Sequence, residues 1–194
     1  MTVTERTRAP ALSPSQRRAA IVAATLPLLL ERGTGLTTRQ IADAAGIAEG
    51  TIFRVFPDKH ALLDAVIDAA VDTSAAEAAI AAIDASLPMD RQIVEAVRVL
   101  QRRVLEVWRV VSIVLDTEEF RGRRRHRAPD ITALTTWFER HRGFLRCEPG
   151  EAARALQCLT IGVSHPAFCG DEPMDPAAVA RLFLDGLRAR AVSC

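Results

Sequence analysis

No apolar run in this 194-residue chain approaches the roughly 20 residues that a membrane-spanning helix requires, and Val110–Leu115 falls far short of it. Residues 1–14 carry charge and proline but no apolar segment, so they do not read as a secretory signal, and the cytoplasm is the expected compartment. Catalytic signatures are missing as well. There is no Gly-rich phosphate loop, no His-Glu-x-x-His and no Gly-x-Ser-x-Gly. Helical metal–carboxylate sites need a Glu three residues before a His. Ahead of His60, His126, His141 and His165 stand Pro57, Arg123, Phe138 and Gly162. No enzymatic activity, cofactor or metal is therefore expected. Cysteine is sparse: Cys147, Cys158, Cys169 and Cys194 form no Cys-x-x-Cys pair and read as reduced thiols, with a redox switch or metal site the lesser alternative. Lysine is rarer still, with Lys59 alone.

The composition is that of an ordinary soluble protein, 49% hydrophobic and 25% charged, enough for a sizeable core in one domain or two. The formal net charge of +1 conceals a mild asymmetry. Residues 1–60 hold eight basic against five acidic side chains, +3, which leaves −2 for the remainder. That is the direction nucleic-acid binding favours, without being a basic footprint that identifies it alone.

Residues 37–59 organise the rest. Thr37 is placed to cap a helix, and Gln40 three residues on completes a capping box. Ile41 and Ala44/Ala45 give that helix an apolar face. Gly46 stands where the chain must leave it, in a left-handed conformation that costs glycine little. Ile47, Ile52 and Phe56 resume an apolar pattern and leave Glu49, Gly50, Thr51, Phe53 and Arg54 pointing elsewhere, before Pro57 ends the run. Two short helices joined by a tight turn are the expectation, a helix-turn-helix.

The match extends beyond that motif. In order come Leu30-Glu31-Arg32-Gly33, Thr37-Thr38-Arg39-Gln40-Ile41-Ala42, Ala45-Gly46-Ile47, Gly50-Thr51-Ile52-Phe53-Arg54, Phe56-Pro57-Asp58-Lys59 and Ala61-Leu62-Leu63. This series resembles the DNA-binding segment of the TetR/AcrR family of transcriptional regulators and covers about the first third of the chain. The resemblance implies an all-α protein: an arm over residues 1–13, a three-helix DNA-binding domain over 14–60, and a larger helical effector-binding and dimerisation domain over 61–194. It implies contacts to double-stranded operator DNA from Thr38, Arg39, Ala48, Glu49, Gly50, Thr51, Phe53, Arg54 and Lys59. The chemistry of those side chains suits the task. Arg39 can donate bidentately to guanine, Glu49 only accepts, Gly50 permits close backbone approach, and Thr51 offers a hydroxyl and a methyl. Phe53 matches an aromatic that packs against sugar-phosphate in the family, and Arg54, Lys59 and the Thr38 hydroxyl are phosphate donors. Two positions depart from the family pattern: Ala48 stands where a capping serine is common, and Val55 replaces a polar group.

Elsewhere the reading rests on periodicity. Ser13 or Ser15 caps a first helix to about Arg32, with Ile21, Thr25, Leu28 and Leu29 inward and a kink expected at Pro27. Asp58 caps a helix through about Thr73; residues 74–89 read as a short helix and a linker. From Asp90 to about Asp116, Ile93, Val97, Leu100, Val104, Trp108, Val111 and Leu115 form one stripe, and the apolar end of that helix is expected deep inside. Further helices are expected over 130–144, 149–163 and from Pro176, the last with Val179, Leu182, Phe183 and Leu187 inward and Arg188 and Arg190 complementing its dipole. The run Arg121–Arg127 reads as a solvated connector, or as a lure for an anionic effector or an auxiliary DNA contact. Arg6 and Arg8 belong to a solvated tail or reach the DNA.

The expected function is a homodimeric repressor released from its operator by a small-molecule effector. The resemblance implies pairing through the last two helices. Candidate effector-lining residues are Leu100, Val104, Trp108, Val111, Leu134, Phe138 and His165, each with plain core packing as the competing role. A DNA-binding protein without an effector is the alternative.

Overall fold

The computed structural model describes residues 13–115, 130–170 and 172–187, and among these it contains α- and 3₁₀-helices and no strand. The chain divides into two compact units, the first ending at Ala69 and the second beginning at Ala70.

The first unit is built from α1 (Pro14–Arg32), α2 (Thr38–Ala45), α3 (Glu49–Val55) and most of α4 (Lys59–Ala70). The starts of α1, α2 and α4 are set by local side-chain chemistry. Ser13 caps α1 in a reciprocal capping box with Gln16, and Pro14 stands at the first helical position, where its missing N–H costs nothing. Asp58 accepts from the Ala61 N–H at 2.8 Å at the head of α4. Pro27 lies within a helix that runs unbroken past it, on the exposed side, while Ile21, Thr25 and Leu29 are buried opposite. Leu28 is half-buried rather than part of the inward stripe. The buried Thr25 hydroxyl donates to the Ile21 carbonyl one turn earlier at 2.7 Å, so its burial leaves no donor unpaired. Ile41, Ile52, Phe56, Leu62 and Val66 complete this core. The Arg18 guanidinium covers the Phe56 ring, 4.6 Å from its centroid. α4 ends at Ala70, short of the expected Thr73.

The second unit packs α5 (Ser74–Ala81), α6 (Met89–Leu115), α7 (Thr132–Arg140), α8 (Pro149–Gly162), the single-turn α9 (Pro166–Cys169) and α10 (Pro176–Leu187) around one core. α6 runs through it against α5, α8 and α10. Ile93, Val97, Leu134, Phe138, Leu156 and Val179 are each no more than 1% exposed.

Several expectations are corrected here. The helix foreseen over 130–144 stops at Arg140, and a separate 3₁₀ turn, Arg142–Phe144, follows. In the second half of α6 the buried residues are Val110 and Val114. Val104, Trp108, Val111 and Ile113 are only half-buried, so the apolar end of α6 is not enclosed all round. On α10 the inward residues are Val179, Ala180, Phe183 and Leu184, while Leu182 is 55% exposed. A four-to-three spacing does not tell which of two nearby leucines faces in; the packing against α6 does. α9 has no counterpart in the expected elements. The Arg121–Arg127 run, Arg188, Arg190, Cys194, the arm over 1–12 and the side chains of Leu115 and Leu187 lie outside the described residues.

Candidate nucleic-acid interface

The turn between α2 and α3 follows from its sequence. The Thr37 hydroxyl accepts from the Gln40 N–H at 3.2 Å, and the Gln40 carboxamide oxygen accepts from the Thr37 N–H at 2.8 Å. Two of the N–H groups left over at a helix start are thereby paired. At the other end Gly46 adopts φ 65°, ψ 33°, the left-handed conformation. Its N–H reaches the Asp43 carbonyl at 3.2 Å, and that of Ile47 reaches Ala42 at 3.0 Å. A Cβ at Gly46 would meet no atom within 4 Å, so glycine is required by the backbone angle rather than by crowding. The chain then re-enters a helix at Ala48, which caps α3 with no side-chain bond.

α3 buries Ile52, and Phe56 just beyond its end, each 1% exposed. Its opposite side carries Glu49, Gly50, Phe53 and Arg54, all exposed, at the spacing of one helical face. Phe53 is 51% exposed, which leaves a large apolar area in water. Arg39 on α2 and Ala48 at the turn are exposed; Thr38 and Thr51 are half-buried. The Thr38 hydroxyl donates to Glu49 Oε1 at 2.5 Å, joining the head of α2 to the head of α3. Lys59 is half-buried, and its Nζ donates to the Thr34 carbonyl at 2.7 Å, closing the loop that leads into α2. That leaves the ammonium two further protons. The nine residues expected at DNA thus all lie on the α2–turn–α3 segment or at the head of α4. The Thr38–Glu49 and Lys59–Thr34 bonds were not legible in the sequence, because both depend on which helices are neighbours.

The seven candidate effector residues separate into two groups. Leu100, Leu134 and Phe138 belong to the packed core of the second unit. A void of only about 10 Å³ lies beside Phe138, Trp137 and Ile93, no larger than a water molecule needs. Trp108 and His165 meet edge to face, ring centroids 4.2 Å apart, and Val104 and Val111 lie half-buried on the same helix as Trp108. Beside His165, the Ser164 hydroxyl is fully buried and has no hydrogen-bond partner.

A capped, glycine-turned pair of short helices that displays an aromatic and an arginine on one exposed face defines a helix-turn-helix DNA-binding unit. Residues 21–66, all within the first unit, match the model of the tetR family of bacterial regulatory proteins. A solved structure from Mesorhizobium loti MAFF303099, described as that of a TetR-family transcriptional regulator, is similar with a TM-score of 0.70 at 17% identity, over 92% of this chain and 100% of that one. NalD, the secondary repressor of the MexAB-OprM multidrug efflux pump in Pseudomonas aeruginosa, is similar with a TM-score of 0.53 at 24% identity, over 91% and 98%. A TetR family transcriptional regulator from Pseudomonas syringae pv. tomato DC3000 gives 0.56 at 19%, over 88% and 94%. At these identities the likeness is one of fold. No curated protein matches the chain in sequence. Among the described residues no helix is long and apolar enough to cross a membrane, and no cluster of His, Cys, Asp and Glu is arranged to hold a metal ion.

Proposed function

We propose that this protein is a homodimeric, cytoplasmic, non-enzymatic repressor that binds operator DNA through α3 and is released by a small-molecule effector held in the second unit. The observation that carries the DNA half is Phe53, 51% exposed on the outer face of α3 between Gly50 and Arg54. An exposed aromatic on this helix-turn-helix has a ready partner in the sugar-phosphate surface, with Arg39 at a base edge and Arg54 on phosphate. Repression is also the activity described for NalD, which shares the fold.

Pairing through α8 and α10 is supported by what those helices leave open. Leu182 is exposed on α10, and Ala155, Cys158 and Gly162 lie exposed along α8, small enough for a second helix to approach closely. Two heads about one helical turn apart, ~34–36 Å, would then read a palindromic site. The half-buried Trp108, His165, Val104 and Val111 are the better candidates for effector contact, because Leu100, Leu134 and Phe138 are already packed. An effector there acts only to the extent that it binds the two conformations of the dimer unequally.

Fluorescence anisotropy on DNA from upstream of the protein's own gene, in a salt series, tests the reading. Tight binding that weakens steeply with salt and falls at least tenfold in both Phe53→Ala and Arg39→Ala is the expected result. Equal binding by parent and variants would remove α3 as the reader.

A further inference from the structure

The Thr38–Glu49 bond changes what both residues do at the DNA surface, an inference that rests on α3 being the reader as proposed. An ionised carboxylate has no proton to give, so the hydroxyl of Thr38 is the donor and its single proton is committed to Glu49 Oε1, 2.5 Å away. In that state Thr38 presents only lone pairs to its surroundings and has nothing to offer a phosphate oxygen. Glu49, for its part, is exposed at the head of α3, next to Gly50, where a side chain meets the groove first. A free glutamate there would bring a mobile negative charge against a polyanion. Tethered, it loses rotamer freedom before binding, and the charge-assisted bond disperses part of its charge. Its second oxygen remains open, acceptor only.

The major groove answers such a group selectively. Guanine shows two acceptors, O6 and N7, and thymine shows O4 and a methyl; both repel a carboxylate or leave it unpaired. Adenine sets its amino group beside the N7 acceptor. Cytosine alone presents an amino donor without an adjacent acceptor on the same base.

We propose that Glu49 is a specificity-determining residue that selects cytosine at one position of each half-site, and that Thr38 is a positioning residue that aims the carboxylate rather than a phosphate contact.

The test is enrichment of bound sequences from a random double-stranded DNA library by the purified full chain, beside Glu49→Gln, Thr38→Val and Thr38→Ser, with helical content checked by circular dichroism. The parent is expected to enrich cytosine at one position per half-site. Glu49→Gln, which adds donors, should lower the preference for cytosine over adenine there about tenfold and leave the other positions unchanged. Thr38→Val should weaken the same preference by a smaller factor, and Thr38→Ser should restore it. A Glu49→Gln motif identical to the parent's at every position overturns the inference while leaving DNA binding through α3 intact. So does a Thr38→Val protein that binds every sequence more weakly by one factor, since that is the signature of a lost phosphate contact. If the parent enriches no motif, the DNA-binding reading falls, and this inference with it.

Discussion

Trp137 donates its buried indole N–H to Gln92 Oε1 across 2.8 Å, and the Gln92 amide donates in turn to the Leu87 carbonyl at 2.7 Å. The pair ties α7 to α6 and pins the turn ahead of α6. Trp137 also stacks on His141, centroids 4.1 Å apart, whose Nδ1 lies 2.9 Å from the Trp137 carbonyl. This is a polar joint between two core helices, and both of its ends are satisfied.

Gln92→Leu keeps the volume but strands the indole N–H at 3% exposure. An orphaned buried donor costs about 1–3 kcal/mol. Urea unfolding followed by tryptophan fluorescence should show that loss with an unchanged slope. A change below about 0.5 kcal/mol would mean that a water molecule replaces the carboxamide.

Lys59 has two tasks if α3 reads DNA, and one variant separates them. Lys59→Met keeps the stem and removes the bond to the Thr34 carbonyl, which should lower stability by about 1 kcal/mol. If the same ammonium also meets a phosphate, the slope of log affinity against log salt should become shallower by about 0.9 per half-site. A stability loss with an unchanged slope would confine Lys59 to the loop.

Glu77 on α5 accepts from the Ala133 N–H at 2.6 Å and so caps α7 from outside that helix. Its pKa is nevertheless raised above the ordinary 4.5, chiefly because burial disfavours the carboxylate, with Asp130 nearby adding to the rise and the Ala133 bond opposing it. A raised folded value means that the folded chain binds the proton more tightly than the unfolded one. The resulting stabilisation is complete below about 4.5 and is lost as pH rises through the higher folded value. Urea midpoints measured from pH 7.5 down to 4 should therefore rise for the parent relative to Glu77→Gln, which keeps an acceptor oxygen without the titration. Parallel curves for the two proteins would show that Glu77 is not perturbed.

The parts of this molecule that were legible in advance are those whose cause is local. The capping box at Thr37 joins residues three apart, and the left-handed turn at Gly46 depends on one residue's lack of a Cβ; for the first helix the sequence left Ser13 and Ser15 as alternatives, and the cap is Ser13. The exposed face of α3 was legible too, since Ile52 and Phe56 had to be buried and the helix carries Phe53 to the other side. Faces on the long helices were less so. Val104 and Trp108 share the apolar stripe of α6 with Val97 and Leu100, yet only the latter two are buried, and periodicity does not tell how far along a stripe its cover extends. Trp137, missed as a core residue, sits beside Phe138 at the centre of the unit.

By itself, then, the sequence determined an all-α chain, the residues at which most helices start, the helix-turn-helix and the side chains that its second helix displays. Periodicity and capping act within a turn or two, so no distant neighbour was needed to read them. Tertiary structure alone decided the rest: that Leu184 faces in and Leu182 out, that Trp108 meets His165, that Lys59 holds the Thr34 carbonyl, and that Thr38 gives its one hydroxyl proton to Glu49. Each of these depends on two segments meeting in space, and a hydrogen bond that forms or fails within a few tenths of an ångström has no signature in residue spacing.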